Sequence, residues 1–448
     1  MNEWTAGKET RFTADPKGLS APASRVRYQV LAFASVLALI TYIQRLGLVR
    51  DSGPELKRTL DLDDAQMGDA VAAFLVAYGL CQVPGGWLAD RFGGRYVITA
   101  LVLGWSLLTG AVAVAGVLPT AAAFPFLVAI IFCFGLLQAG IFPSWSRVIA
   151  DWVPVQERAS AQGTLWMFSR LGGAVTAYVF WVLLVLFGSW MPVFGVLAGL
   201  GFVWVAFFWP WFRNRPEEMS RVNVAERALI VAGRDAAAPT AEALPWRRML
   251  TSVSVWSLCL MYGFVGFAGN FFTSTLNRYL HDHRRLSDGA TALLSSLPLA
   301  FSMASCILGG VLSDWIIRRT GSRKWGRRLN GVVGLVCAGG MLLGTVWVPN
   351  SALWLLGFLF SAAFFCNDLV MGPAWASCAD IAERHAGALS GAMNMTGAFL
   401  GAAGMSLAGR LMARHEYETM FIIFACSYTL AALCWLGVDV TKRLTPET

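Results

Sequence analysis

The chain has 448 residues, of which 56% are hydrophobic and only 14% charged, and its formal net charge is +8. Soluble domains carry about 25% charged residues, so this composition excludes an ordinary water-soluble fold. The basic excess raises nucleic-acid binding as an alternative, which the placement of the charges rejects below.

Residues 1–28, opening "MNEWTAGKETRFTADPKG", are polar and lack an apolar core near the start, so a soluble tail is expected rather than a cleavable signal. Apolar stretches long enough to cross a hydrocarbon core of roughly 30 Å as helices then recur along the chain. In the first half they fall at about 29–49, 69–89, 96–117, 124–149, 161–187 and 190–212. In the second half they fall at about 253–279, 289–313, 329–348, 352–376, 387–412 and 419–438. The sequence therefore predicts an all-α integral membrane protein with twelve transmembrane helices. A first six-helix bundle covers 29–212, a polar, alanine-rich linker 213–250, a second bundle 251–440 and a short tail 441–448.

Most Lys and Arg fall on one side of this layout, among them Arg25, Arg27, Arg91, Arg95, Arg213, Arg215, Arg318, Arg319, Arg327 and Arg328. The opposite loops hold few, such as Arg50, Lys57, Arg284 and Arg285. That asymmetry predicts both termini and the linker in the cytoplasm and a plasma or bacterial inner membrane location, and it accounts for the net charge without nucleic acid.

In the first span, "LALITYIQRLGLV" carries Arg45 beside Tyr42 and Gln44. Arg45 lies about four residues from the outer end, so snorkelling to the interface and facing a central cavity are both open. The second span ends in "GGWLAD", and "GGVLSD" recurs 224 residues later, half the chain length, with Gly86 matching Gly310 and Asp90 matching Asp314. A second echo pairs Asp151, Glu157 and Arg158 with Asp380, Glu383 and Arg384. Two ordered echoes across halves of six spans each imply parallel repeats, and such halves suit alternating access to a site near the midplane. Asp90 lies at a helix C-terminal end, where its charge is disfavoured unless Arg91, Arg95 or a helix start in the other half compensates it. A contact made in one state and released in another is a gate latch, and Asp314, Glu157, Arg158, Glu383 and Arg384 complete the candidate set. A solvated surface pair, worth at most about 1 kcal/mol, is the alternative.

Further on, Gln138 sits in "LLQAGIFP", and Arg147 near the end of the fourth span reads as snorkelling or packing. Arg170 lies about nine residues into the fifth span, roughly 14 Å deep. It either faces a cavity or serves as a structural hydrogen-bonding group. Asn270 in span seven and Asn394 in span eleven either meet substrate hydroxyls or join helices. Asp368, roughly 24 Å along the tenth span, is the only deep acid and must be protonated or paired. It is a candidate for cation coupling, a counter-charge for Arg170, or a packing residue beside Asn367. Gly397, Gly401 and Gly404 form a small face for close helix approach.

The nine cysteines lie in or beside apolar spans without C-x-x-C spacing, so neither disulfides nor a metal site is expected. "HEYET" lacks the second histidine of a zinc protease helix and no G-x-x-x-x-G-K loop occurs, which argues against an enzyme or nucleotide-driven pump. A sensor on a transporter-like scaffold would need an output domain that the linker does not offer.

The turn "GGWLADRFGGR" carries Gly86, Asp90, Arg91, Gly93 and Arg95 in the order of the cytoplasmic loop motif of the major facilitator superfamily, which it resembles. With "AGIFPSWSRVIADWVPVQERASAQG" and "GPAWASCADIAERHAGALSGAMNM", the chain from about Tyr28 to Met412 is similar to the anion:cation symporter family within it. The resemblance implies uptake of small organic anions such as sugar acids, hexuronates and other carboxylates, with a co-transported proton or sodium and no other cofactor. It also implies that Arg45, next to Tyr42, faces the cavity and holds the substrate carboxylate, with Asn394 nearby. Gln44 and Gln138 stand where the family has Asp and often Glu, and neither amide can titrate. Coupling then falls to Asp368, or the protein is an uncoupled facilitator or anion exchanger. Arg45, Arg147 and Arg170 give the first half a positive potential that favours an anion over a cationic drug. The expected partners are that anion and the lipid bilayer, with the protein a monomer.

Overall fold

The computed structural model describes residues 22–232, 246–349 and 351–444. The starting tail through residue 21, linker residues 233–245 and the final residues 445–448 lie outside the described residues. The apolar stretches are helices, since a backbone in lipid has only its own helix to satisfy its N–H and C=O groups. Six spans form the first bundle: Val26–Leu46, Asp64–Leu80 with Gln82–Phe92, Gly94–Ala111, Thr120–Ala139 with Ile141–Trp152, Arg158–Phe187 and Trp190–Trp211. The second bundle is Val253–Asn270, Asp288–Thr320, Arg323–Gly344, Leu353–Asp368 with Met371–Ala382, Ala386–Ala413 and Tyr417–Gly437.

Spans two, four and ten, expected as continuous helices, are each broken. The two parts of span two meet at 43°. Each break precedes a proline, Pro84, Pro143 or Pro373, which has no N–H to donate to the preceding turn and whose ring clashes with it. Spans two and four also cross closely there, since a Cβ on Gly85 would lie 2.4 Å from the Cα of Gly140. Span seven runs on through a widened turn at Phe271–Thr275. Its packing against span eleven uses the predicted small face, with Gly397 against Tyr262, Gly401 against the Asn270 amide and Gly404 against the Phe267 carbonyl.

The bundles meet most closely at the end that carries the linker. A Cβ on Gly86 would sit 2.1 Å from the carbonyl oxygen of Gly387, and one on Gly310 2.3 Å from that of Ala159. The echoed glycines thus bring span two onto span eleven and span eight onto span five. Gly86→Val is expected to prise this end apart, since overpacking costs about 1–3 kcal/mol. Amide exchange at Gly387 and Ala388 should then accelerate about tenfold, and an unchanged rate would remove the steric role.

The linker helix Val224–Val231 is fastened to the start of span one by one buried carboxylate. Glu226 accepts from the Ser24 hydroxyl at 2.5 Å, the N–H groups of Val26 and Arg27 at 2.9 and 3.1 Å, and the Arg27 guanidinium at 3.0 Å. Burial pushes the Glu226 carboxyl up, but these donors outweigh it and hold it below the usual carboxylate range. A depressed acid contributes stability above its unfolded value, about 4.3, and loses it as pH falls through the folded value. Protection factors of the Val224–Val231 amides are therefore expected to hold from about pH 8 to about pH 5 and to fall only below that. Glu226→Gln should lower them about tenfold at neutral pH, because a charge-assisted bond contributes about 1.5–3 kcal/mol.

Candidate functional site

Two guanidiniums stand on packed helices of the first bundle, Arg170 at mid-span and Arg45 in the last turn of Val26–Leu46. Arg45 is 9% exposed and turned inward, so it does not snorkel. Its Nε donates to Gln138 Oε1 at 2.8 Å, and Gln138 Nε2 donates in turn to the Thr41 carbonyl at 3.3 Å. Aromatic rings wall the guanidinium, with Tyr78 at 4.5 Å, Tyr42 at 4.9 Å and Phe74 at 5.8 Å from its carbon. Its Nη2 is buried without a hydrogen-bond partner among the described residues. A buried donor on a charged group left in that state is costly unless something else occupies it.

Arg170, on span five, is partnered. Its Nε and Nη2 meet the two oxygens of Asp368 at 2.9 and 3.1 Å, a bidentate ion pair that joins the bundles. Asp368 also accepts from Asn367 Nδ2 at 2.8 Å and from the Ser302 hydroxyl, with the Cys306 sulfur at 3.7 Å. The carboxylate is fully buried, and one Arg170 face rests 5.2 Å from the Phe364 ring.

Tyr42 connects the two positions, with Arg45 over its ring and its Cβ and ring packed against Gly172 and Gly173 of span five. Across the bundle interface, Asn394 Nδ2 donates to Gln82 Oε1 and to the Tyr78 hydroxyl at 3.5 Å. Beneath lies an aromatic floor in which Phe142 stacks on Trp166 at 5.0 Å, Trp166 lies 5.5 Å from Trp375, and Trp375 donates to the Tyr262 hydroxyl at 3.1 Å.

Two candidates lie elsewhere. Gln44 faces into the first bundle: its Nε2 donates to the Leu197 carbonyl at 2.7 Å and its Oε1 accepts from Trp105 at 2.7 Å. Successive residues on a helix point about 100° apart, so Gln44 and Arg45 cannot share a face. Asn270 packs its amide against Gly401 within the second bundle.

At the linker end the echoed acids cap helices of the opposite bundle. Asp90 accepts from the N–H groups of Gly387 and Ala388 at 2.9 and 2.8 Å, at the start of span eleven. Asp314 accepts from the N–H and hydroxyl of Ser160, both at 2.7 Å, at the start of span five. Each helix start supplies donors and a positive dipole end. Arg91 lies over its own helix's Trp87 and Phe92, while Arg95 donates to the Trp209 carbonyl. Gly93 turns the chain between them at φ 83°.

Behind the caps, Arg158 donates to Asp380 at 2.8 Å, and Arg327 to Asp380 at 3.0 Å and to Asp314 at 2.7 Å. Arg327 was expected among loop charges and is instead fully buried at the start of span nine. Arg147, expected to snorkel or to pack, packs: it pairs with Asp151 at 2.9 Å and donates to the Arg384 carbonyl across the interface. Glu157 pairs with Arg27 at 2.9 Å inside the first bundle, and Glu383 pairs with Arg443 at 3.4 Å. Tyr78, Gln82, Trp166, Trp375 and Ser302 carried no sequence signal, being aromatic or small polar residues in apolar runs.

A family model described as Major Facilitator Superfamily matches residues 30–405. The probable sulfoacetate transporter SauU of Cupriavidus necator is 30% identical over 417 residues, 93% of this chain and 94% of that protein. The probable galactarate/D-glucarate transporter GarP of Escherichia coli K12 is 28% identical over 436 residues, 92% of this chain and 94% of that one. Among solved structures, the proton:xylose symporter XylE bound to 6-bromo-6-deoxy-D-glucose superposes with a TM-score of 0.70 at 16% identity, covering 93% of this chain and 96% of that one. That last likeness concerns the fold.

Proposed function

Because this chain belongs to the Major Facilitator Superfamily and is a transporter rather than an enzyme, we propose that it carries small organic anions across the membrane by alternating access of the midplane site. The observation that supports this most directly is the buried Arg45 Nη2 without a partner, beside a neutral amide and aromatic rings rather than an acid. A carboxylate or sulfonate oxygen is the natural occupant, since a guanidinium fork meets such groups with parallel hydrogen bonds. Relatives named for sulfoacetate and for galactarate and D-glucarate point to the same class, small organic acids, here with two anionic groups each.

The linker end is the cytoplasmic one in this reading, since the basic residues gather there. The state described is closed at that end by the paired caps of Asp90 and Asp314. Release of those caps, with closure on the far side, carries the loaded site across. Arg45 binds the anion, Tyr42, Gln138 and Asn394 shape the site around it, and Asp368 is the acid available for a co-transported cation. The caps, the Arg158–Asp380 pair and the neighbouring Gly86, Gly93 and Gly310 form the gate.

Ligand-induced thermal stabilisation of the purified protein tests the reading. Sugar acids or sulfoacetate are expected to raise the melting temperature, and neutral sugars and organic cations to leave it unchanged. Stabilisation by cations alone would overturn the proposal.

A further inference from the structure

Among the described residues the site around Tyr42 holds three charged side chains: Arg45, Arg170 and Asp368. Empty, it carries one net positive charge. A monoanion on Arg45 makes it neutral while the Arg170–Asp368 pair stays intact. A dianion leaves one negative charge in excess, which a low-dielectric site resists, unless one acid takes up a proton. Resting on the anion-transport reading above, we propose that substrate valence sets proton coupling: a monoanion crosses without a proton, and a dianion crosses with one proton carried on Asp368.

The geometry provides for both forms of that carboxyl. Arg170 is the side chain that a second acid group can draw away, because it reaches Asp368 from the opposite bundle and Tyr42 forms a common wall with Arg45. Once Arg170 turns, Asp368 loses two charge-assisted bonds, and a protonated oxygen needs an acceptor instead. Two are adjacent. The Ser302 hydroxyl accepts as well as donates, and Asn367 Oδ1 is buried without a partner among the described residues while its Nδ2 holds Asp368. Rotation of the Asn367 amide presents that oxygen to the new O–H.

The groups facing Asp368 are the Arg170 guanidinium from span five, the Cys306 thiol from span eight, and the phenols of Tyr42 from span one and Tyr428 from span twelve. The thiol and phenols ordinarily bear no charge, so the charge that faces Asp368 is that of the Arg170 guanidinium. The proton enters with the dianion, resides on Asp368 as the carboxylic acid, and leaves with the dianion on the other side. Net charge moved is then one negative charge for either substrate, although proton flux differs.

Calorimetric titration of the purified wild-type protein in two buffers of different ionisation enthalpy, at pH 7, counts protons taken up on binding. The probes are galactarate, with two carboxylates, and galactonate, the same chain with one. The expected result is one proton per galactarate and none per galactonate, and each ligand decides its own half of the proposal. Galactarate bound without a proton, or galactonate bound with one, overturns the inference and leaves the anion reading standing. If neither acid nor sulfoacetate binds, the anion reading falls and this inference falls with it. In wild type, galactarate affinity should weaken by up to about tenfold per pH unit on the alkaline side, as binding of one linked proton requires. Asp368→Asn should abolish both that slope and the galactarate proton, because the amide mimics the neutral acid, while galactarate still binds.

Discussion

Arg45→Ala is expected to weaken binding of the carried acid by at least about 30-fold while leaving the unliganded protein about as stable as wild type. Truncating one partner of a desolvated charge pair costs about 2–5 kcal/mol, and each 1.4 kcal/mol is tenfold. Stability responds differently because the deleted group is itself poorly satisfied. Removing a buried guanidinium whose Nη2 has no partner relieves a desolvation cost, while it orphans Gln138 Oε1, a loss of about 1–3 kcal/mol. The two effects oppose each other. Arg45→Lys should fall between, keeping the charge and losing the planar fork. Affinity from thermal shift or calorimetry, alongside the unliganded melting temperature, checks all three proteins. Undiminished affinity in Arg45→Ala would make this arginine a packing residue.

What the sequence disclosed depended on whether a signal was periodic or repeated. Twelve apolar runs announce twelve crossings because lipid demands it, and the echo of "GGWLAD" in "GGVLSD" located both helix caps before their partners were known. Those partners, the starts of spans eleven and five, are backbone N–H groups with no residue signature, so only their class was legible. Arg170 and Asp368 stood out as isolated charges in apolar runs, and the sequence could offer their pairing only as one option, since 198 residues separate them. Trp166 and Trp375 resemble any lipid-facing tryptophan until packing puts them 5.5 Å apart. Gln44 misled because its neighbour is the arginine, whereas helix geometry sends it to Trp105 and Leu197. Arg327 misled because positive-inside counting treats every basic residue at a span edge alike, and this one is held inside by two acids.

Asp380→Ala is expected to have the largest effect on the gate. Asp380 holds Arg158 from the first bundle and Arg327 from the second, with all three side chains at most 3% exposed. After truncation Arg327 keeps Asp314, but Arg158 is left with the carbonyls of Ala150 and Ala379. Stranding a buried charge costs about 3–5 kcal/mol. The cost falls on the closed linker end alone, because once the bundles part there Arg158 is hydrated. Even the lower figure shifts the equilibrium more than about 100-fold, enough to turn a strongly favoured closed state into a minor one. A cysteine introduced at Ala161, buried in this state, should react with a membrane-impermeant maleimide at least tenfold faster in the variant, read at that site by mass spectrometry. Asp380→Ala combined with Arg158→Ala should recover part of the protection, since the stranded charge is then gone. Asp90→Ala should act more weakly, because it removes a helix cap worth about 0.5–2 kcal/mol and strands no ion. Equal rates in Asp90→Ala and Asp380→Ala would mean that the closed end is held by glycine packing, with the buried charges along its edge contributing little.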